Sequence, residues 1–269
     1  MNFRTTHKRR PDHARHRARV TAPTSTSGRG NDRRPLPPAI NEQQATTTRT
    51  LGVRAPALER VAALSGLIAF VTFNLGWIAG DFAQRPAFSS ARDDVSHLGA
   101  MTASSPWLEN QVSANLSGLL IVALGVGLWL ALSPSRLGRL GAASLAAFGL
   151  GLFLDGFFRL DCQPSIDAAC SNDSWHSHVH KINSGIIFAA AFVSILLLPL
   201  AFRRLPRWRD SWLPSLIAVP VILLAPLPFA AIGNGAGQRA GNVAIFLWIA
   251  FIAFRLLQHA NEAQKEVAP

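Results

Sequence analysis

Three short stretches of this sequence hold side chains able to move protons, bind a metal ion or hold a charged group. The first is Arg92-Asp93-Asp94-Val95-Ser96-His97-Leu98-Gly99-Ala100. The second is Asp155-Gly156-Phe157-Phe158-Arg159-Leu160-Asp161, and the third is Trp175-His176-Ser177-His178-Val179-His180-Lys181-Ile182-Asn183-Ser184. Asp94 and Asp155 are candidate general bases. Arg159 stands four residues after Asp155, a helical spacing that predicts an ion pair. His176 and His180 are also four apart and share a helix face. That is a half-site for zinc, and it needs one or two more ligands. Asp94, His97, Asp155 and Asp161 are the candidates to complete it. There is no His-Glu-x-x-His run, the usual metalloprotease signature. The same imidazoles equally suit a metal-free polar site, a structural hydrogen-bond cluster, or a proton sensor that titrates near neutrality.

The elements that must position these groups are six long apolar segments. They cover 58–80, 113–132, 140–160, 182–202, 213–232 and 243–257, about 15 to 23 residues each. At a rise of about 1.5 Å per residue that length crosses a bilayer core. None carries a sustained polar stripe, so each helix faces lipid or another helix. The fold class is therefore all-α: a polytopic transmembrane bundle of six spans. The domains are a disordered basic tail over 1–57, a membrane domain over 58–257, and a short C-terminal tail over 258–269. The roughly 30-residue connection between the first two spans is long for a structureless loop. Val95, Leu98 and Met101 recur there at helical spacing and predict a short helix begun near Asp93 and Asp94. Asp173 or Ser174 is the expected N-cap of the fourth span.

Charge gives the orientation. Of the 26 Lys and Arg, 13 lie in residues 1–60, against 4 of the 15 Asp and Glu, so this part carries +9 of the net +11. Arg136, Arg139, Arg203, Arg204, Arg207, Arg209 and Lys265 fall on the same side as the tail. The positive-inside rule makes that side cytoplasmic, with both termini there. Asp81, Asp93, Asp94, Glu109, Asp161, Asp167 and Asp173 then lie outside. Trp107 and Trp175 are expected at the outer interface, and Trp208 and Trp212 at the inner one. No cleavable signal peptide is visible in the first fifty or so residues, which lack an apolar run. The location is the plasma (inner) membrane. The partners expected are membrane lipids, with anionic lipid for the basic tail, and no nucleic acid.

Cys162 and Cys170 are the only cysteines and fall outside, where disulfides form. Seven residues separate them, compatible with a disulfide. A pair of metal thiolates is the alternative, without the Cys-x-x-Cys spacing of a zinc knuckle. The Gly237-Gln238-Arg239 run lies before the last span. Arg239 there is either a solvated turn residue or a partner for an anionic group. Small residues at Gly118, Gly125, Gly141, Gly149 and Gly151 permit close contact between spans two and three.

Three features resemble the DUF998 family over about residues 58–257. They are the Asp93-Asp94-Val95-Ser96-His97-Leu98-Gly99-Ala100 segment, the acidic end of span three followed by a His-bearing span four, and Gly237-Gln238-Arg239 before a Trp-containing span. The resemblance implies a six-span integral membrane protein, mostly bacterial, and no established activity. Composition without tyrosine and rich in Ala, Arg and Leu also fits a high-GC bacterium. The expected function is an outward-facing pocket of Asp94, His97, Asp155, Arg159 and Arg239, with His176 and His180, which senses or binds lipid. The first alternative is a zinc-dependent hydrolase of lipid head groups with Asp94 or Asp155 as base, loosely similar to alkaline ceramidases. The second is a small transporter, for which the midplane offers only Asn74 and Ser144.

Overall fold

The computed structural model describes residues 38–229 and 231–267, with side chains over 56–229 and 231–266. The described chain is helical, and six helices are long and apolar enough to cross a membrane. Helix α1 is Pro38–Phe82, α2 is Ser117–Ala131, α3 is Arg136–Asp155, α4 is Trp175–Arg204, α5 is Arg209–Leu224 and α6 is Asn234–Val267. A π-helical segment, Leu108–Leu116, runs into α2, so the second span is Leu108–Ala131. No strand occurs among the described residues.

The bundle has two chemically different ends. At one, α1 starts its apolar span near Pro56, α2 turns into α3, α4 into α5, and α6 finishes. Ion pairs tie these pieces together: Arg207 to Glu59 at 3.6 Å and Arg255 to Asp210 at 3.8 Å. Trp208 is buried there, stacked on Phe202 at 4.9 Å and edge-on to His259 at 4.8 Å. It is a core residue rather than the interfacial belt residue its neighbour Trp212 resembles. The reason is the short 3-10 turn Pro206–Trp208, which folds the indole back under α4. At the other end lie the 83–107 connection, the 156–174 connection and the short link into α6. Apolar packing between the ends is continuous, from Ala62, Leu128 and Leu256 through Leu124 and Ile249 to Phe73, Phe148 and Phe246.

Several boundaries differ from those the apolar runs predict. Helix α1 begins at Pro38, inside the stretch the composition assigns to a disordered tail, while residues 1–37 lie outside the described part of the chain. Helix α6 continues to Val267 through Asn261-Glu262-Ala263-Gln264-Lys265-Glu266, so the C-terminal tail is largely a helical extension. Good helix formers there need no bilayer to hold them helical. At about 1.5 Å per residue, 34 residues exceed a roughly 30 Å core, so α6 projects past it. Helix α3 stops at Asp155 instead of near Leu160. Asn115 Nδ2 donates to the Phe153 carbonyl at 2.5 Å, and Gly156 is pressed against Asn110 and Asn115, so the chain leaves the helix there.

Candidate functional site

The 83–107 connection is a folded cap. Asp94 precedes a 3-10 turn, Val95–Gly99, and its backbone N–H donates to His97 Nδ1 at 3.1 Å. Val95 and Leu98 of that turn are buried, whereas Met101, the third residue at that spacing, lies past the turn and is exposed. Asn110 Nδ2 donates to the Gly99 carbonyl at 2.9 Å, which fixes the turn on the second span. Gln238 accepts the Val95 N–H at 2.5 Å, which fixes it on α6. Gln163 Nε2 donates to the His97 carbonyl at 3.0 Å. Asp93 is buried and accepts from the Ser165 N–H at 3.3 Å and from the Ser165 hydroxyl. Burial pushes the His97 imidazole below its usual range, against the pull of Asp93 and Asp94.

Arg239 organises this cap from beneath. Its Nη2 donates to Asp81 Oδ1 at 2.7 Å and its Nε to Asp81 Oδ2 at 3.1 Å, a two-point contact. Its Nη1 donates to the carbonyls of Ser90 at 2.7 Å, Asp93 at 2.8 Å and Gly235 at 3.1 Å. The guanidinium also lies 5.7 Å from the Trp77 ring centre. Only 9 % of Arg239 is exposed, so it is not a solvated turn residue but the partner of an anionic group, the Asp81 carboxylate. All three nitrogens of the fork are therefore engaged within the protein. Gly233 closes the same corner in a positive-φ conformation (153°) against the Ala91 carbonyl, where a side chain would collide.

The 156–174 connection is held by Asn172 and a Cys162–Cys170 disulfide. Asn172, at φ 52°, accepts the Asp161 N–H at 2.7 Å and the Cys162 N–H at 3.1 Å. Ser174 caps α4 by accepting the Ser177 N–H at 3.2 Å. It also donates its hydroxyl to Asp161 at 2.5 Å, and its backbone N–H adds a second bond at 3.0 Å. These Ser174 bonds hold the Asp161 carboxyl below the usual carboxylate range.

The predicted Asp155–Arg159 pair is not formed. Helix α3 ends at Asp155, so the i+4 geometry is lost, and Asp155 is engaged by α4 instead. His180 Nδ1 lies 3.2 Å from Asp155 Oδ1 and donates to the Phe158 carbonyl at 2.8 Å. Asn183 Nδ2 donates to Asp155 Oδ1 and to the Gly151 carbonyl, both at 2.9 Å. His176 lies against Trp175 with ring centres 3.6 Å apart and planes tilted by 31°, and takes no part in this network. His178 is exposed and bonds the Ser174 carbonyl at 2.9 Å. Among the described residues no three His, Cys, Asp or Glu side chains are grouped to hold a metal ion.

Below the cap lies a cavity of about 650 Å³ between the helices. Asp94, Ser96, Glu109 and Asp155 line its polar end, joined by Asn234, Gln238 and Asn242 of α6. Phe73, Phe148 and Phe246 form its floor, with the Phe73 and Phe246 rings stacked 3.8 Å apart. Its apolar side runs along α4 and α5 through Ile187, Ala191, Ile195 and Ile222, and reaches Phe188, Phe192 and Leu223. The last three are exposed on the outside of the bundle, where lipid would lie. Of the residues singled out in the sequence, Asp94 and Asp155 line this cavity. His97, His180 and Arg239 stand behind its wall, and Arg159 and His176 are not on it.

Glu109 has no counterpart among those candidates, although it is 8 % exposed and its Oε2 has no hydrogen-bond partner. An acidic residue at the head of an apolar span is a signal in its own right. Asn234, Gln238 and Asn242 recur every four residues, which places them on one face of α6 and is equally readable.

The family described as "Protein of unknown function (DUF998)" matches residues 66–255. No curated protein and no solved structure matches the chain.

Proposed function

We propose, for a chain that belongs to the DUF998 family, that it binds a membrane amphiphile in the cavity beneath the cap. The head group lies against Asp94, Glu109 and Asp155, and the chain lies along α4 and α5. One observation carries this reading: a single cavity joins a polar end to an apolar slot that reaches the lipid-facing side of the bundle. Ligand pockets of several hundred Å³ with few polar groups and mostly apolar walls have this form. The cap end faces outward, because the arginines gather at the opposite end. The protein belongs in the bacterial plasma membrane with both termini in the cytoplasm, and the basic tail adds attraction to anionic lipid. In this role the protein senses or holds the amphiphile.

The test is to fill the slot. Ala191 is 6 % exposed and lines it. Lipids copurified with the tag-free protein are extracted and weighed by mass spectrometry against those of Ala191→Phe. A stoichiometric amphiphile in the wild type, lost from a variant of normal helicity, supports binding. Equal lipid content in both overturns it.

Zinc on His176 and His180, with hydrolysis of a lipid head group, is the second reading. The bond of His180 Nδ1 to a carbonyl beside a carboxylate leaves Nε2 as its ligating atom, an arrangement found at metal-binding histidines. Elemental analysis tests it. Near-stoichiometric zinc, lost in His176→Ala/His180→Ala, makes hydrolysis the leading function, and metal-free protein retires it.

A further inference from the structure

Resting on the amphiphile reading, we propose that the cavity selects a positively charged head group, that of an amphiphile bearing an ammonium. The charged residues on the wall are Asp94, Glu109 and Asp155, and among the described residues no Lys, Arg or His lines it. Glu109 is the decisive one. It is more than nine-tenths buried, it faces the cavity, and one carboxyl oxygen has no partner. A buried polar atom left unpaired is costly, and one beside a cavity is completed by whatever enters it. Asp155 is partly served by His180 and Asn183, and Arg239 is committed to Asp81 and three carbonyls. Among the described residues, no Lys, Arg or His on the cavity wall answers Glu109 and Asp94.

The floor points the same way. Phe73, Phe148 and Phe246 line the cavity, and aromatic rings attract ammonium groups. A bare metal ion fits less well. Hard cations require several oxygens within one coordination sphere, and the carboxyls come to the cavity from separate elements without such grouping. An anionic head group would meet three carboxyls and no positive group. The apolar slot completes the ligand, because a chain lying along Ile187, Ala191 and Ile195 carries its head group to the acidic end.

The test uses the full chain in nanodiscs of zwitterionic lipid, with empty discs to subtract partitioning. Binding is measured for radiolabelled dodecyltrimethylammonium, dodecanoate and dodecyl maltoside, which differ in head-group charge. The expected result is a preference of roughly tenfold or more for the cation over the anion. That preference falls by about the same factor in Glu109→Gln, which keeps the shape and removes the carboxyl. Asp94 lies on a partly exposed turn, so Asp94→Asn repeats the test should Glu109→Gln fail to fold. Equal binding of the three probes overturns the charge selection and leaves amphiphile binding standing. Binding of none overturns both. A preference unchanged in Glu109→Gln and Asp94→Asn also overturns the proposal, as does displacement of the probe by stoichiometric calcium or zinc. A two-chain cationic lipid doped into the disc distinguishes the source. Displacement by it supports entry from the bilayer, and displacement only by a short water-soluble quaternary amine supports the same site filled from water.

Discussion

Arg239 and His97 show how single residues hold the cap over the cavity. Arg239 joins α6 to Asp81 at the end of α1 and to three carbonyls, two of them in the 83–107 connection. Breaking a buried pair leaves one charge uncompensated, which typically costs about 3–5 kcal/mol. Arg239→Ala and Asp81→Ala should each lower the thermal midpoint in detergent by a comparable amount, and the double variant should cost much less than their sum. Arg239→Lys should restore little, since a point charge cannot reproduce the fork. Additive single effects would mean that the two side chains act independently. His97 makes a different prediction. Its Nδ1 accepts the Asp94 N–H, so the folded cap requires that nitrogen unprotonated. Burial lowers its pKa in the fold relative to the unfolded chain. The unfolded state therefore binds more protons, and stability rises with pH through this window. The His97 contribution is complete above the ordinary histidine range, near pH 6.5, and is lost as pH falls through the lower folded value. Asp161 is depressed too, so its contribution is complete above about pH 4 and lost below that. Midpoints measured from pH 8 to pH 5 should fall in the wild type and be flatter in His97→Gln. Parallel curves would assign that slope to another group.

At the scale of elements, spacing predicts contacts only while the helix persists. Six spans are legible because crossing a bilayer demands long apolar runs, whatever the packing. The Val95–Gly99 turn and the Ser174 cap are legible because local chemistry makes them. The Asp155–Arg159 pair fails for a nonlocal reason: Asn110 and Asn115, on another span, end α3 at Asp155. Glu109 is legible as an outer-side acid but not as a cavity residue, because much of the rest of the cavity wall is supplied by α1, α3, α4 and α6, far away in sequence. The small residues of spans two and three, by contrast, do what their type suggests. A Cβ on Gly118 would lie 2.6 Å from the Gly149 carbonyl, and one on Gly149 would lie 2.7 Å from the Gly118 carbonyl. The two glycines let α2 and α3 touch backbone to backbone, as small residues do between membrane helices. Gly118→Val and Gly149→Val should each cost about 1–3 kcal/mol by forcing the helices apart. Gly185, which meets nothing within 4 Å, is the internal control, and Gly185→Val should be nearly silent in the same thermal measurement. Equal losses at all three would trace the effect to valine in a helix rather than to the contact.

For the whole molecule, charge and chemistry separate along the bundle axis. Arg136, Arg139, Arg203, Arg204, Arg207 and Arg209 collect at the end where α2 meets α3 and α4 meets α5. The acidic cavity, the cap and the Cys162–Cys170 disulfide collect at the other. On the orientation proposed above, a bilayer turns that asymmetry into direction, since arginine-rich connections are preferentially retained in the cytoplasm. The disulfide argues for the same direction independently, since the oxidising compartment lies outside. Were the chain inserted the other way, the arginines would have to be translocated and the disulfide would face reducing thiols. Single cysteines test this in a Cys162→Ser/Cys170→Ser background. A cysteine at Ala168, in the disulfide-bearing connection, should react with a membrane-impermeant maleimide added to intact cells. One at Ser135, where α2 meets α3, should react only after the cells are opened. The reverse pattern would turn the cavity toward the cytoplasm. A ligand drawn from the bilayer would then have to come from the inner leaflet, where anionic lipid is abundant and an acidic cavity would have to discriminate against its surroundings.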